Sequence, residues 1–370
     1  MSGIIAHEWL AATGGSENVF EELSRIFPDA ERWCLWDDSD GRFTDVHETW
    51  LARTPVRKSK ALAVPFAPLA WRSLPRRDAD WVLCSSHLFS HHARFRGPAR
   101  DAPKLVYAYT PARYVWNPEL DGRGDNLPAR LVSAAVKPLD ARRAQEPTAI
   151  AGISRYVAKR ISDAWNREAD VIYPPVDVAA FAEGPVADEG VLRELGHLPS
   201  EFILGVSRFV PYKRLDAVID TGAATGVPVV LAGSGPDEER LRAHAERSGA
   251  KVIFVHQPSM AVLRELYRRA VVFVFAPVED FGIVPVEAMA AGTPVIANAI
   301  GGAAETVVDG RTGALVHDWN PADLRAAFEV ATRATEEDCV ARAREFDVPV
   351  FAEKVSAWVE RHAGAGEAVA

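Results

Sequence analysis

The sequence lacks the features that mark several special classes of protein. Its 370 residues include only three cysteines, Cys34, Cys84 and Cys339, and none forms a C-x-x-C pair. This scarcity argues against a disulfide-rich framework and predicts reduced thiols in a cytosolic protein. The chain has no run of about 18 apolar residues, and its start has no basic segment before a long apolar run. Neither a transmembrane helix nor a signal peptide is therefore predicted.

An excess of positive charge is also missing. Lysine and arginine total 42 against 51 acidic residues, and the net charge of -9 argues against broad nucleic-acid binding. An acidic protein that handles an anionic substrate needs local cationic groups to do so. The sequence has no repeat with a period of about 20–50 residues, and its length predicts about two globular domains.

Short apolar runs alternate with helix-like segments along the chain. This alternation is typical of parallel sheets covered by helices and predicts an α/β fold with two Rossmann-like domains. The predicted strands are residues 4–6, 81–85, 105–109, 149–153, 202–206, 227–232, 251–255, 271–276 and 294–297. The predicted helices are residues 17–26, 130–144, 155–165, 214–221, 238–247, 259–270 and 284–291.

A proline-containing segment, residues 171–190, separates two rounds of this alternation. Proline blocks helix continuation, so we place the domain boundary there and predict domains at 1–180 and 181–345. Residues 346–370 are predicted to pack back on the first domain as a helix and to end in a frayed tail. Two such sheets facing across a cleft would hold ligands beyond the carboxyl ends of their strands.

A cationic loop follows the first strand of the second domain. Arg208 and Lys213 stand on it, five residues apart. A guanidinium matches phosphate oxygens with its fork of donors, and an ammonium adds a point charge. Each would interact with a diphosphate by about 4 kcal/mol at 4 Å and an effective dielectric constant near 20. The alternative is an ordinary solvated loop.

Two further segments of the second domain follow strands. Gly233 begins a Gly-Ser-Gly-Pro turn, which lets backbone approach a ligand but is also common between a strand and a helix. Glu279 lies on the loop after strand 271–276, and Glu287 is predicted to lie in the first turn of the next helix. Backbone N–H groups there would hold phosphate, while carboxylates accept hydrogen bonds from sugar hydroxyl groups. The alternative is two capping glutamates.

Together these motifs resemble the retaining glycosyltransferases of the GT-B fold, family GT4, from the Gly14-Gly15 loop to about Ala363. The resemblance implies an acceptor-binding first domain and a second domain that binds a nucleotide sugar. It implies that Arg208 and Lys213 bind the donor diphosphate and that Glu279 contacts the sugar, which makes these three the catalytic set. The implied donor-binding residues are Gly14, Gly15, Gly205, Ser207, Gly233, Val255, His256, Phe281, Gly282, Ile283 and Glu287.

Within that set, the resemblance implies that Glu287 holds the ribose diol and that Val255 and His256 border the nucleobase. It also implies that the new bond keeps the anomeric configuration of the donor and that the leaving phosphate takes the acceptor proton. The protein then contributes positioning and charge stabilisation, without a cofactor or metal. The partners are a nucleotide-sugar donor and a glycan, lipid-linked or small-molecule acceptor.

One position departs from the family pattern. Tyr109 occupies the place where relatives commonly have a histidine near the C6 hydroxyl group of the sugar, and we expect its phenol to help select that sugar. The surrounding Thr-Pro-x-Arg-Tyr-x-Trp pattern, which includes Arg113, resembles mannosyltransferases of polysaccharide assembly. The resemblance therefore favours GDP-mannose, with a UDP-sugar as the alternative. Tyr109, Arg113 and His87 are predicted to line the sugar and acceptor side.

Two weaker patterns lie in the first domain. His87, His91 and His92 are interpreted as packing residues because no carboxylate or cysteine cluster accompanies them in the sequence. Residues 53–77 mix basic and apolar side chains, which would suit either peripheral contact with an anionic membrane at its inner face or a solvated surface. The rival functions are a sugar-nucleotide epimerase, an inactive sugar-nucleotide-binding subunit and a nucleic-acid-binding module.

Overall fold

The computed structural model describes residues 2–116, 127–182 and 189–364. The chain divides into two compact units: Met1–Pro175 together with Pro349–Ala370, and Val176–Val348. The predicted tail lies outside the described residues from position 365 onward. None of the helices in the described part of the chain has both the length and the hydrophobicity needed to cross a bilayer.

The first unit is built on a parallel sheet. Its strands are β1 (Gly3–His7), β2 (Leu10–Ala11), β3 (Glu31–Cys34), β4 (Asp37–Asp38), β5 (Val46–Glu48), β6 (Trp81–Ser86), β7 (Lys104–Ala108), β8 (Ala149–Gly152) and β9 (Asp170–Val171). The main sheet has the order β5-β3-β1-β6-β7-β8-β9, and β2 pairs separately with β4. Every residue of β1 and β6 is buried, as expected for parallel strands covered on both faces.

Helices and single 3₁₀ turns connect these strands. The helices are α1 (Gly15–Ile26), α2 (Lys60–Ala63), α3 (Ala67–Arg72), α4 (Arg113–Trp116), α5 (Leu127–Arg143) and α6 (Arg155–Trp165). The 3₁₀ turns are Trp50–Arg53, Pro55–Lys58, Ser90–His92 and Pro98–Arg100. Ser154 begins α6 by accepting a hydrogen bond from the Val157 N–H, and Asn166 ends it in the left-handed conformation.

The second unit has a six-stranded parallel sheet. Its strands are β10 (Ile203–Val206), β11 (Val229–Ala232), β12 (Val252–Val255), β13 (Val272–Phe275), β14 (Val295–Asn298) and β15 (Gly313–Val316), in the order β12-β11-β10-β13-β14-β15. Its helices are α7 (Val178–Ala182), α8 (Glu189–Glu194), α9 (Leu215–Thr225), α10 (Glu238–Ser248), α11 (Met260–Arg269), α12 (Ile283–Ala290), α13 (Ala303–Thr306), α14 (Pro321–Ala331) and α15 (Glu336–Arg344). The last helix of the chain is α16 (Val348–Ala363).

The predicted fold class, α/β with two Rossmann-like parallel sheets, is confirmed. Each predicted strand overlaps an observed one, because buried parallel strands are visible as continuous apolar runs. The strands β2, β3, β4, β5, β9 and β15 and the helices α2, α3, α4, α7, α8, α13, α14 and α15 were not predicted. Edge strands are short and partly exposed, so they leave no such run.

Both sheets contain a point where the strand order reverses. In the first unit the chain leaves β1 towards β3 on one side and returns to β6 on the other, so the reversal lies between β1 and β6. In the second unit it lies between β10 and β13. Loops diverge at the carboxyl ends of such strand pairs and leave a crevice, which is where ligands bind in open α/β sheets.

Candidate functional site

The reversal point of the second sheet brings a lysine and a glutamate together. Lys213 ends the 3₁₀ turn Pro211–Lys213 after β10, and Glu279 lies on the loop after β13. The ammonium of Lys213 donates a hydrogen bond to Glu279 Oε1, and the two side chains are 15% and 23% exposed. The structure thus joins two residues predicted from separate motifs into one ion pair.

Arg208 lies on the same loop as Lys213, five residues before it. Its side chain is exposed, and Nη2 donates a hydrogen bond of 2.9 Å to the hydroxyl group of Tyr212. This contact uses one of the guanidinium's five N–H donors, so four donors remain on the exposed side chain. The loop after β10 therefore presents one cation paired with a carboxylate and one cation held by a neutral phenol.

Two glycines predicted to bind the donor are also required by close packing within the protein. A side chain at Gly233, where φ is +142°, would overlap the Ser207 carbonyl oxygen, and one at Gly205 would crowd Leu231 and Val218. The backbones of the β10 and β11 loops thus approach each other closely, which only glycine permits. The donor-binding roles of Gly205, Ser207 and Gly233 remain predictions.

Sequence analysis missed a second glycine pair, which supports the Glu279 loop. The Gly302 N–H donates to the Glu279 carbonyl oxygen at 2.7 Å, and a side chain at Gly302 would overlap the backbone of Asp280 and Phe281. Buried Asn298 donates from Nδ2 to the Ala276 carbonyl oxygen at 2.9 Å. A Gly-Gly pair directly after the strand β14 was the available signal.

Helix α12 begins where this loop ends. Gly282, at φ +90°, precedes it, Ile283 is its first residue, and Phe281 is buried with its ring 5.6 Å from that of Phe346. The prediction that Glu287 lies in the first turn is wrong, because that turn contains no acidic residue. Because α12 starts at Ile283 and not at Pro285, Glu287 lies beyond the first turn of the helix.

Glu287 has an unusual protonation equilibrium. Burial raises its pKa to about 7, partly offset by the Tyr267 hydroxyl group, which donates to Oε2 at 3.2 Å. Both its protonated and its charged form are therefore populated near neutral pH. A ribose diol contacting this carboxylate would supply the donors that its ionised form lacks.

Val255 and His256 end the neighbouring strand. Val255 is buried, whereas His256 is exposed and its Nε2 lies 3.0 Å from both carboxylate oxygens of Glu238, near the start of α10. This histidine and Arg242 lower the pKa of the Glu238 carboxyl group. A role for Val255 and His256 beside a nucleobase remains a prediction.

In the first unit, the Gly14-Gly15 pair lies at the start of α1. A side chain at Gly14 would overlap the carboxylate of Glu17, which is buried and accepts a hydrogen bond of 2.8 Å from Ser16 Oγ. Gly15, by contrast, is exposed as the first residue of α1. The glycine at position 14 thus makes room for an acidic side chain of the protein itself.

Tyr109 lies deeper than the sequence suggested. The residue is buried, its hydroxyl group donates to the Ser16 carbonyl oxygen at 3.1 Å, and it lies 2.9 Å from Ser85 Oγ. The only proton of the phenol is therefore engaged by α1 and is not available to a C6 hydroxyl group of a sugar. The phenol therefore helps to hold the first turn of α1, and the predicted place of Tyr109 on the sugar side remains a prediction.

His87 and Arg113 are the other residues predicted on this side. His87 follows β6 directly, is partly exposed, and has its ring centroid 5.5 Å from that of His7 and 6.2 Å from that of Tyr109. Burial of the ring nitrogens, together with nearby Lys60, lowers the pKa of His87 to about 3, so the imidazole is neutral. Arg113 begins α4, after the strand β7. His7, at the end of β1, was not predicted.

His91 and His92 do have a carboxylate partner, contrary to the reason given for excluding a metal. Their Nε2 atoms lie 3.1 and 3.0 Å from Oδ1 of Asp140, and all three side chains are buried. Oδ2 of Asp140 accepts hydrogen bonds from the indole N–H groups of Trp116 and Trp165, at 2.7 and 2.8 Å.

The Asp140 carboxylate thus accepts three hydrogen bonds, from His92 and the two indoles, while His91 Nε2 lies close to Oδ1 without forming a hydrogen bond. Burial and the neighbouring His91 lower the pKa of His92 to about 4, and the contacts with the two histidines hold the pKa of Asp140 below its usual range despite burial. These donors account for the buried negative charge without an ion. The cluster is consistent with packing histidines that share one carboxylate.

Comparison with known proteins relates the second unit to a family. Residues 193–345 match the family described as "Glycosyl transferases group 1". The matched stretch, which covers less than half of the chain, includes the loops of Arg208, Lys213 and Glu279 and is similar to a glycosyl transferases group 1 domain.

Two curated relatives share the name D-inositol 3-phosphate glycosyltransferase. The protein of Segniliparus rotundus is 35% identical over 181 residues, which cover 45% of this chain and 40% of that protein. The protein of Mycolicibacterium gilvum is 39% identical over 163 residues, covering 41% and 36%. The matched part of the chain thus spans less than half the length of these relatives.

Solved structures resemble the whole fold. Anabaena HepE, determined in complex with UDP-glucose, superposes with a TM-score of 0.70 at 18% identity over 96% of this chain and 99% of that one. Sucrose-phosphate synthase from Thermosynechococcus elongatus gives a TM-score of 0.68 at 18% identity, over 98% and 100%. The fold is that of the GT-B glycosyltransferases.

Proposed function

We propose that this protein is a retaining glycosyltransferase of family GT4. It transfers a hexose from a nucleotide-diphosphate sugar to a hydroxyl group of an acceptor. The proposal rests on the ion pair of Lys213 and Glu279 at the reversal point of the second sheet, with Arg208 on the same loop as Lys213, inside the stretch that matches the glycosyl transferases group 1 family. Two cations and a carboxylate there match a diphosphate joined to a sugar.

The chemistry assigned to these residues is charge stabilisation. Lys213 and Arg208 neutralise the diphosphate as it leaves, when its negative charge grows. Glu279 holds Lys213 in place and accepts hydrogen bonds from hydroxyl groups of the sugar. The leaving phosphate takes the acceptor proton on the face where the new bond forms, so the anomeric configuration is kept. No step requires a cofactor or a metal.

The donor is either GDP-mannose or a UDP-sugar. The Thr-Pro-x-Arg-Tyr-x-Trp segment supports GDP-mannose through its resemblance to mannosyltransferases, while HepE, a neighbour in fold, was solved with UDP-glucose. The name of the sequence relatives supports a small inositol phosphate as the first acceptor to test, before glycans and lipid-linked sugars.

The epimerase alternative requires acid and base carboxylates in the first unit. Buried Glu8 is near the reversal point, but its Oε1 accepts hydrogen bonds from the backbone N–H groups of Leu88, Phe89 and Ser90, at 3.0, 2.6 and 2.5 Å. This carboxylate anchors the loop after β6, and its Oε2 accepts a hydrogen bond of 3.3 Å from the indole N–H of Trp71, so the contacts of Glu8 are internal to the first unit. The transferase therefore fits the first unit better.

Nucleotide release provides the test. Purified protein is incubated with UDP-glucose, UDP-N-acetylglucosamine and GDP-mannose, each with and without D-inositol 3-phosphate, in the presence of EDTA. We expect acceptor-dependent release of one nucleotide and retention of anomeric configuration in the product by NMR. Glu279→Gln should suppress release while leaving the melting temperature nearly unchanged. Release of nucleotide with an epimerised free sugar, or no release from any donor, would contradict the proposal.

Cytoplasmic location with peripheral membrane contact is a further part of the proposal. Leu62, Phe66 and Leu69 are 64%, 44% and 61% exposed, and Lys58 and Arg53 nearby are exposed as well. An apolar surface bordered by cations suits an anionic bilayer surface. Sedimentation with phosphatidylglycerol vesicles should therefore exceed sedimentation with phosphatidylcholine vesicles. Leu62→Ser combined with Leu69→Ser should abolish the difference, whereas equal sedimentation of wild type with both lipids would exclude this contact.

A further inference from the structure

A chain of hydrogen bonds crosses the reversal point of the first sheet. His7 is the last residue of β1 and pairs in register with Ser85 of β6. His7 Nδ1 lies 2.9 Å from Ser85 Oγ, Ser85 Oγ lies 2.9 Å from the Tyr109 hydroxyl group, and that hydroxyl group lies 3.1 Å from the Ser16 carbonyl oxygen. His7, Ser85 and Tyr109 are all buried.

Only one assignment of protons satisfies all three hydrogen bonds. A carbonyl oxygen only accepts, so Tyr109 donates its single proton to Ser16. Ser85 must then donate to the Tyr109 oxygen, which leaves the Ser85 oxygen to accept from His7. The hydrogen on His7 therefore resides on Nδ1, and Nε2 carries a lone pair.

The Nε2 atom of His7 has nothing to accept from within the described residues. It is buried and lacks a hydrogen-bond partner there, and the same is true of Nδ1 of His87, whose ring centroid is 5.5 Å away. A buried polar atom without a partner is uncommon and costs free energy. Two of them on adjacent rings, at the crevice where open α/β sheets bind ligands, indicate a small polar ligand.

The chemistry of the site selects among ligands. Both imidazoles are neutral, because burial holds the pKa of His7 well below its ordinary value, as it does for His87. A lone pair on a neutral ring requires a hydrogen-bond donor, which excludes an ionised phosphate or carboxylate as the direct partner. Nearby Lys60 lowers the pKa of both histidines and disfavours a cationic ligand. A hydroxyl group meets these conditions.

We propose that His7 Nε2 accepts a hydrogen bond from a hydroxyl group of the acceptor, which enters beside the partly exposed His87. This proposal rests on the transferase function proposed above and names a residue that reads the acceptor. Ser85 and Tyr109 act on the acceptor through His7: they fix the tautomer that leaves Nε2 free. They are positioning residues.

The tautomer can be tested without activity. Full-length protein labelled with ¹⁵N-histidine is studied by long-range ¹H–¹⁵N correlation at pH 7, with His7 assigned by its loss in His7→Asn. We expect a neutral ring with the hydrogen on Nδ1, and a shift of the Nε2 resonance on adding glycerol or D-inositol 3-phosphate. A hydrogen on Nε2, an imidazolium, or a resonance unmoved by both polyols would overturn the proposal.

Kinetics separates acceptor binding from a structural role. His7→Asn keeps a donor that faces Ser85 and removes the Nε2 acceptor, so the KM for the acceptor should rise about threefold to tenfold, the loss typical of one neutral hydrogen bond. The KM for the donor and the rate of donor hydrolysis by water should stay the same. His47→Asn, on the exposed edge strand β5, is the matched control.

A second variant covers the case in which His7→Asn does not fold. Ser85→Ala retains the imidazole but frees its tautomer, so it should also raise the KM for the acceptor without changing the KM for the donor. An unchanged acceptor KM in the folded variants would overturn the role of His7 while wild-type transfer continues. Absence of transfer by wild type would instead contradict the proposed function, and the NMR result would still decide the tautomer.

Discussion

The two reversal points of this molecule hold different kinds of side chains. In the second sheet they are charged and partly exposed: Arg208 faces outward, and Lys213 and Glu279 form an ion pair with 15% and 23% of their side chains exposed. In the first sheet they are neutral and buried, because His7, Ser85 and Tyr109 share their hydrogen bonds along a single chain. The same topology thus supports two chemically distinct sites.

The two proposed ligands, a diphosphate and a sugar hydroxyl group, would require this difference. A diphosphate carries full charge, so partly desolvated cations hold it strongly and still release it. A sugar hydroxyl group carries no net charge, so it is distinguished by the direction of a few hydrogen bonds, which requires rings of fixed tautomer. We infer that the charged site supplies most of the rate and the neutral site supplies acceptor selectivity.

The largest expected effect comes from removing the charge of Lys213. Lys213→Met takes away a preorganised cation that opposes charge growth on the leaving diphosphate, so turnover should fall by about 10²- to 10³-fold. Turnover with saturating donor is the measurement. Lys159→Met, which breaks an exposed i,i+4 pair with Asp163 on α6, is the matched control and should keep full turnover. Comparable losses in both variants would remove Lys213 from the charged site.

The next effect concerns stability in the first unit. Asp140→Asn replaces a carboxylate that accepts three hydrogen bonds, from His92, Trp116 and Trp165, with an amide that has only one accepting oxygen, so it should lower the free energy of unfolding by roughly 3–5 kcal/mol. Chemical denaturation measures this loss, and Asp163→Asn at an exposed position is the control. A loss below about 1 kcal/mol would show that the carboxylate is not stabilised as described.

The pH dependence of Asp140 has a definite sign. Its folded pKa lies below the unfolded value, so its contribution to stability is complete above the unfolded pKa and disappears as the pH falls. Asp140→Asn should therefore differ most from wild type near neutral pH and least in acid. Added EDTA should leave the wild-type melting temperature unchanged; a decrease would indicate an ion bound by His91, His92 and Asp140.

An effect of intermediate size concerns Glu287. Its folded pKa of about 7 exceeds the unfolded value of 4.5, so the folded state holds the proton more tightly. The resulting stability is present below pH 4.5 and disappears as the pH rises through 7. Glu287→Gln cannot ionise, so its melting temperature relative to wild type should increase between pH 5 and pH 8, by a few degrees.

The same variant tests the ribose role of Glu287. If the carboxylate accepts hydrogen bonds from the ribose diol, Glu287→Gln should bind UDP-glucose or GDP-mannose more weakly than wild type in calorimetry at pH 8. This weaker binding is expected even though the variant is more stable than wild type at that pH. Weaker binding with higher stability is the pattern of a functional residue held at a cost to the fold. A pH-independent change in melting temperature together with normal nucleotide affinity would assign Glu287 to packing alone.

Local sequence signals predicted most of the fold. The buried strands β6, β10 and β13 are visible in the sequence as mainly apolar runs. Such runs are expected because a parallel strand covered on both faces has apolar side chains on both faces. The loops after β10 and β13 were predicted to be functional because ligands bind at the carboxyl ends of the strands in open α/β sheets. The misplacement of Glu287 arose from taking Pro285 as the helix start, whereas Gly282 precedes the first residue.

The neutral site could not be predicted in the same way, because its contacts are distant in sequence. Ser85 is 78 residues from His7, and Asp140 is 48 residues from His92. No short-range pattern records such a pairing, and a lone histidine at the end of a strand has several interpretations. The direction of the hydrogen bonds, which decides the tautomer of His7, depends on the Ser16 carbonyl oxygen and thus on the three-dimensional structure.

The smallest expected effect is that of Tyr109→Phe, and it distinguishes two accounts of this residue. The resemblance to a family histidine predicts that the phenol contacts the C6 hydroxyl group of the donor, so activity with a 6-deoxy donor would be unaffected by the change.

In the structure the phenol instead donates its proton to the Ser16 carbonyl oxygen. Losing that bond should cost about 0.5–1.5 kcal/mol through a less firmly held α1. Removing the phenol also releases Ser85 and with it the tautomer of His7, so transfer to the acceptor should weaken by the same factor, about threefold to tenfold, with GDP-mannose and its 6-deoxy analogue, or with UDP-glucose and its 6-deoxy analogue. A loss confined to the donor with a C6 hydroxyl group would restore the direct contact and place Tyr109 in the charged site's chemistry rather than in the neutral chain.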